Sequence, residues 1–194
     1  MTGSTPIGGF VASSQNLHGR TWAEVEEILG FNRGRFNDGG TVWRIAPGGP
    51  LEAFVNAPTP ASFAALGMVI AGFNDERGRR DWSAMEKDAR NNGYSVQSIL
   101  RDRADYVRSA PMFDTSAAAR ALLLAEMVSM MACGATLVKL RPNRPHDPGR
   151  EAVYQYPAGG GIREYFLVTP QLFVPWMNFG AGEAARQGRF LSQP

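Results

Sequence analysis

Glu164 is the residue of this chain whose setting is most suited to chemistry. It follows the glycines of the segment Gly159–Pro170, in a run of residues typical of a strand. Because a strand turns alternate side chains to opposite faces, Glu164 shares the more apolar face with Ile162 and Phe166. A carboxylate on such a face loses hydration free energy on the order of several kcal/mol unless a partner compensates it. We therefore interpret Glu164 as paired or placed at a cleft; a strand-end glutamate that reaches water is the alternative.

Two further settings could bind an anionic group. Arg44 lies within Thr41–Ala46, which the preceding glycines and the alternation of its side chains predict to be a strand. Asp114, Thr115 and Ser116 stand before a long apolar segment, where such side chains cap the first N–H groups of a helix. Arginine can bind phosphate through two parallel hydrogen bonds, and exposed N–H groups at a helix start also favour anions.

Capping signals and apolar spacing predict the elements that position these residues. Thr21 and Glu24 form a capping-box pattern at the start of a helix. The sequence predicts helices at 21–29, from Thr59-Pro60 towards Phe73, and at Ala117–Cys133, and strands at Thr41–Ala46, Thr136–Arg141, Ala152–Tyr156, Ile162–Thr169 and, shorter, Leu172–Pro175. Late strands joined by short loops should pair antiparallel. The expected fold is α+β: one domain with helices packed on a split antiparallel β-sheet.

The chain divides into three parts by composition. Residues 1–17 are rich in Gly, Ser and Thr and are predicted to be a flexible N-terminal arm, and residues 18–179 form the globular domain. Residues 180–194 carry little pattern and are predicted to be a C-terminal tail. Within the domain, the alternating charges of residues 74–108 are typical of the solvated face of a helical region.

Composition excludes several classes of function. The chain has 194 residues, 44% of them hydrophobic, and its 20 basic and 18 acidic residues are interleaved, so we expect no nucleic-acid partner. The apolar run Met127–Val138 is shorter than the roughly 18 residues that cross a bilayer, so we expect no membrane partner. The single cysteine, Cys133, which we predict to be buried, excludes an internal disulfide. His18 and His146 are too far apart for a local zinc motif, and we expect no metal.

No cleaved export signal is visible. The first residues lack a basic region followed by an apolar one. We therefore expect a cytoplasmic protein, or one exported without a cleaved signal peptide.

Three segments of the chain, which contain Arg44, Ser116 and Glu164, occur in an order that resembles the motif order of a known superfamily. Val42-Trp43-Arg44-Ile45, Phe113-Asp114-Thr115-Ser116 and Ile162-Arg163-Glu164-Tyr165-Phe166-Leu167 resemble the motifs of ADP-ribosyltransferases of the arginine–serine–glutamate type. That superfamily includes bacterial toxin domains and NAD-hydrolysing relatives. The resemblance is one of pattern and covers about residues 41–46 and 112–175.

The resemblance implies a use of NAD as substrate. It implies that Arg44 holds the phosphates, that Thr115 and Ser116 shape the pocket beside the nicotinamide, and that Glu164 is catalytic. The reaction would cleave the nicotinamide–ribose bond, by ADP-ribosyl transfer or by NAD hydrolysis, in a toxin or effector. A protein acceptor and a cognate inhibitor protein would be its partners.

Two departures from the family pattern affect the reaction that it implies. Asp114 occupies the place of the first serine, and Ile162 stands where arginine-modifying members have Glu or Gln, which leaves water or another acceptor open. The alternative to an enzyme is a secreted or phage-borne interaction module that docks through its N-terminal arm and its charged middle.

Overall fold

The computed structural model describes residues 3–29, 31, 34–71, 87, 91, 113–114, 116–144, 162–182, 185 and 187–191. The strands are β1 (Thr5–Ser13), β2 (Gly40–Ile45), β3 (Met68–Ala71), β4 (Phe113–Asp114), β5 (Leu137–Pro142) and β6 (Glu164–Phe179), and the helices are α1 (Ser14–Leu17), α2 (Trp22–Ile28), α3 (Pro50–Asn56), α4 (Pro60–Leu66) and α5 (Ala117–Ala132). Apart from residues 87 and 91, the charged region 74–108 lies outside the described residues, as does the strand predicted at 152–156.

The described strands form one antiparallel sheet of six strands in the order β1-β5-β2-β6-β3-β4. A further pairing of β1 with β6 closes β1, β5, β2 and β6 into a four-stranded barrel. The α+β class is therefore confirmed, but these strands make one connected sheet rather than the split sheet that we expected. Closure follows from the length of β6, which pairs with β1, β2 and β3, and it leaves the four barrel strands without a free edge.

The prediction of a flexible arm at residues 1–17 is wrong for the part that β1 occupies. This strand pairs with β6 from Thr5↔Phe173 to Ala12↔Glu164, and Ile7 and Val11 on it are buried. The glycines that suggested a loose arm stand at a bulge, where the φ angle of Gly9 is 81°. Glycine adopts this left-handed conformation at little cost. The arm to which the interaction-module alternative assigned docking is thus a barrel strand.

The predicted C-terminal tail also packs against the core. Phe190 is fully buried and makes edge-to-face contacts with the rings of Trp22 and Trp176. Arg189 forms an antiparallel bridge with Thr21, just before α2. Three large aromatic side chains thereby hold the end of the chain in place, which the weak pattern of residues 180–194 did not predict.

The strands predicted at 162–169 and 172–175 are one long strand, β6. Two prolines lie inside it, Pro170 and Pro175. The second is accommodated at a bulge, because Val42 pairs with Met177 whereas Trp43 pairs with Pro175. Proline lacks the N–H group that a regular ladder needs, and a bulge removes that need.

The capping residues in the sequence predicted the first residues of the helices more accurately than the last ones. Thr21 and Glu24 form the expected capping box at α2, with hydrogen bonds of 3.2 and 2.6 Å. Thr59 caps α4 as expected, but the helix ends at Gly67, whose φ of 59° is left-handed. The apolar residues that we assigned to a longer helix form β3, which pairs with β6. An apolar segment that lies beside a sheet can form its backbone hydrogen bonds with the sheet as well as within a helix.

Helix α5 matches its predicted range to within one residue. Leu123, Met127 and Met130 are buried, as the predicted stripe requires. Cys133 follows the helix and is exposed, so its predicted burial is wrong: Met130 and Ala135 on either side of it contact the core, whereas Cys133 does not. Among the residues that the structure describes, no helix is long and apolar enough to cross a membrane.

In the part of the chain that the structure describes, hydrophobic cores lie on both sides of the barrel wall. Neighbouring residues of β5 enter different cores, Leu137 on one side and Val138 on the other, as the alternation of a strand requires. The α5-side core joins the sheet to α3, α4 and α5, and the α2-side core joins it to α1, α2 and the C-terminal segment. Buried members of the first include Leu51, Phe54, Leu66, Leu123, Tyr165 and Phe173, and those of the second include Leu17, Trp22, Val25, Phe36, Phe179 and Phe190.

Candidate functional site

Glu164 begins β6 and lies inside the fold. Only 9% of the residue is exposed, and the next three residues of the strand are also buried. Its main chain is paired with Ala12 of the barrel strand β1. The alternative of a strand-end glutamate that reaches water is therefore wrong.

Lys139 lies on β5, the neighbour of β1 on the side away from Glu164. This strand pairs with β1 at Ser13↔Leu137 and Ala12↔Val138, and Lys139 is the first residue beyond these pairs. Its Nζ donates a hydrogen bond of 2.9 Å to the carbonyl oxygen of Phe10. A Cβ atom at Gly9 would lie 3.4 Å from Nζ, so the ammonium group lies against the bulged glycine. We call this region the β1–β5 seam: the last backbone pair of the two strands is Ala12↔Val138, and the next contact is the bond from Lys139 to Phe10.

Burial shifts the pKa of the Glu164 carboxyl upwards and that of the Lys139 ammonium downwards. Desolvation raises the pKa of Glu164 to about 8, and the positive charge of Lys139 opposes that rise. Desolvation lowers the pKa of Lys139 to about 8, opposed by the charge of Glu164 and assisted by that of Arg141. At neutral pH the Glu164 carboxyl is accordingly held mainly in its protonated form.

The Glu164 carboxyl has no close partner in the described part of the chain. Neither a hydrogen bond nor a direct ion pair joins it to any described residue, and Lys139 acts on it through its field at longer range. Buried polar groups are generally hydrogen-bonded, so a buried carboxyl without such a bond calls for an explanation.

The two residues that flank Glu164 are, by contrast, tightly held. Glu126 of α5 accepts hydrogen bonds of 2.6 Å from Arg163 Nε and from the hydroxyl of Tyr165, one on each carboxylate oxygen. Burial and the bond to Glu126 raise the pKa of Tyr165 above its usual range. Helix α5 therefore fixes the start of β6 on both sides of Glu164.

Arg44 lies on the same row of the sheet as Glu164 but not beside it. The row runs from Arg44 through Val138 and Ala12 to Glu164, one residue on each of four strands. Three strand spacings correspond to at most roughly 14 Å between the end residues. The Arg44 guanidinium is exposed and lies 5.8 Å from the ring centre of Trp176, the extra residue of the β6 bulge.

Ser116 lies at the start of α5, as predicted. Its hydroxyl accepts a hydrogen bond of 3.1 Å from the N–H of Ala119, and the residue is exposed. Thr115 lies outside the described residues, and Asp114 belongs to the short strand β4, opposite Ile70. The surroundings of the predicted site residues thus differ: Arg44 lies over Trp176, Ser116 caps the start of α5, and Glu164 feels the charge of Lys139 without contact.

Sequence reasoning passed over Lys139. The signal was the same as for Glu164, namely one charged residue in an apolar strand, Leu137-Val138-Lys139-Leu140. No pattern showed that two such strands would lie on either side of β1, because β1 itself was taken for a loose arm.

No cluster of three or more His, Cys, Asp or Glu side chains in the described part of the chain could hold a metal ion. Comparisons with protein-family models, with curated proteins and with solved structures found no match to this chain. The case for a function therefore depends on the physical chemistry of the buried groups and on the motif resemblance.

Proposed function

We propose that the protein is an NAD-using enzyme that cleaves the nicotinamide–ribose bond, with Glu164 as its catalytic carboxylate. The observation that supports this most is the burial of a carboxyl group without a hydrogen bond or direct ion pair from the described residues. Such a group lowers stability unless a ligand compensates it, and groups of this kind concentrate at functional sites.

The charge of the substrate fits this carboxylate. NAD carries a positive charge on its nicotinamide ring, and that charge moves to the ribose as the bond breaks. A carboxylate held in a poorly solvated place stabilises the developing cation more strongly than one in water. The approaching cation also favours ionisation of Glu164, whose pKa burial raises to about 8.

The other predicted residues have subsidiary roles in the proposal. Arg44, whose exposed guanidinium lies over the Trp176 ring, would bind the phosphates. Thr115 and Ser116, which precede α5 in the sequence, would border the nicotinamide. In place of a cleft in a split sheet, the dinucleotide would reach from the exposed Arg44 on β2 to Glu164 at the start of β6. A protein acceptor or water would receive the ADP-ribose, and a toxin or effector of this kind would have a cognate inhibitor protein.

The test is NAD loss and nicotinamide release by purified protein between pH 7 and pH 9. The variants are Glu164→Gln and, as a matched control, Glu27→Gln at an exposed position of α2. We expect turnover in the wild type to rise with pH as Glu164 ionises. Glu164→Gln should lower it by about a hundredfold or more, because the amide keeps the shape but carries no charge.

Two outcomes contradict the proposal. Equal rates for the wild type and Glu164→Gln would remove Glu164 from the reaction. No NAD loss by the wild type anywhere in this pH range would remove the enzyme and leave the interaction module as the better description.

A further inference from the structure

We propose that Lys139 is a positioning residue that sets the charge of Glu164 and, through it, the pH at which the protein consumes NAD. The consequence for NAD rests on the proposed function, whereas the effect of Lys139 on Glu164 does not. Nothing in the motif resemblance assigns a role to this lysine.

The geometry at the β1–β5 seam holds the ammonium group in a defined place. A lysine side chain has many rotamers and is usually mobile. Here Nζ is bonded at 2.9 Å to the carbonyl oxygen of Phe10, beside Gly9. Ala12 pairs with Val138 on one side and with Glu164 on the other, so only β1 lies between the backbone of Glu164 and that of the residue next to Lys139.

The ammonium charge is not neutralised by a direct partner. Its bonded acceptor is a neutral carbonyl, and no carboxylate in the described residues makes an ion pair with it. Its positive charge therefore acts on Glu164 across β1, in surroundings that screen it less than water does.

The neighbouring elements offer few competing charges. Strands β1 and β3, which flank the start of β6, contain no ionisable side chain. On α5, Glu126 is bonded to Arg163 and Tyr165. On β5 the further charge is Arg141, which is exposed and acts on Lys139. Lys139 is thus the charge among the described residues that shifts Glu164, and it favours the carboxylate against the effect of burial.

The first measurement follows Glu164 directly and needs no substrate. Protein labelled with ¹³C in the glutamate carboxyl groups is titrated by NMR, and the signal is assigned by its loss in Glu164→Gln. In Lys139→Met we expect the Glu164 midpoint to rise by about one pH unit or more, because the favourable charge is gone. In Lys139→Arg, whose charge persists at high pH, the midpoint should stay at the wild-type value or fall.

A matched control and a second variant keep this test decisive. Arg141→Gln removes an exposed charge from the same strand and should shift the Glu164 midpoint by less than about 0.3 unit, because water screens it. An unchanged or lower midpoint in Lys139→Met would overturn the inference. If that variant does not fold, a higher midpoint in Lys139→Arg than in the wild type would overturn it instead.

The second measurement is the pH dependence of NAD loss. The midpoint of the rate profile should rise in Lys139→Met by the same amount as the titration, with turnover largely recovered at high pH. A uniform fall in rate at every pH, with an unmoved midpoint, would show a merely structural role and overturn the inference. A shifted titration with no NAD loss in any variant would support the inference and refute the proposed function, so the two failures are distinguishable.

Discussion

Two buried carboxyl groups of this protein have opposite surroundings. Glu26 of α2 is 2% exposed, and its oxygens accept hydrogen bonds of 2.8 Å from the N–H of Gly34 and 2.7 Å from the N–H of Phe36. Glu164 is 9% exposed and accepts no hydrogen bond from a described residue. Glu26 thus fastens the loop before β2 to its helix, whereas Glu164 contributes no such contact.

The difference shows that burial alone does not mark a functional carboxylate. Backbone N–H groups that bond to a buried carboxylate offset its lost hydration and make it a structural element. A buried carboxyl that lacks them keeps its unfavourable desolvation and can gain from a cation that arrives later. The comparison therefore directs attention to Glu164 and away from Glu26, although Glu26 is the more deeply buried.

Removal of residues 1–13 should lower the stability of the protein more than any other change proposed here. It deletes β1, which pairs with both β5 and β6 and places Ala12 beside Glu164 in the sheet. We expect loss of cooperative thermal unfolding, measured by circular dichroism, because the barrel cannot close without that strand. A truncated chain that melts cooperatively near the wild-type temperature would show that β1 is dispensable and would contradict the described barrel.

The same chemical change at the two carboxyl groups should have opposite effects on stability. Glu26→Gln places an amide NH₂ against a backbone N–H and should lower the free energy of unfolding by about 2–3 kcal/mol, a Tm fall of about 4–10 °C. Glu164→Gln should raise Tm at pH 8, since it removes a group whose ionisation the fold disfavours. Calorimetry of both variants, beside Glu27→Gln as the exposed control, checks the signs; a lower Tm for Glu164→Gln would indicate a satisfied carboxylate.

The pH dependence of stability should show a minimum near pH 8. Because the folded pKa of Glu164 is raised from 4.5 to about 8, its contribution is fully present below pH 4.5 and is lost as pH rises towards 8. Because the folded pKa of Lys139 is lowered from 10.5 to about 8, its contribution is lost as pH falls from 10.5 towards 8.

Urea unfolding from pH 5 to pH 10 measures this effect. The minimum should flatten in a Glu164→Gln, Lys139→Met double variant, which has neither titrating group. If the double variant showed a minimum of the same depth, the pH dependence would come from residues other than Glu164 and Lys139.

Local signals predicted the local features correctly. The capping box at Thr21, the helix start at Thr59 and the range of α5 depend on residues a few positions apart, and all of them appear in the structure. The position of Glu164 on the more apolar face of its strand was also predicted, because the alternation of a strand needs no information from elsewhere in the chain; the depth of its burial was not.

The long-range features were not predictable in the same way. Residues 5–13 look like a loose arm until β6 and β5 are present to pair with them, and the glycines that suggested flexibility form a bulge. The exposure of Cys133 and the burial of Phe190 likewise depend on which surfaces meet. Backbone pairing between distant segments leaves little trace in the composition of either one.

The sequence by itself determined that Glu164 would lie on the more apolar face of a strand, Arg44 on a strand and Ser116 at a helix start. Tertiary structure decided which groups became neighbours: Lys139 across β1 from Glu164, Glu126 between Arg163 and Tyr165, and Trp176 beneath Arg44. The physical reason is that alternation and capping act within a few residues, whereas desolvation and charge coupling depend on the closure of the barrel, which brings residues far apart in the chain together.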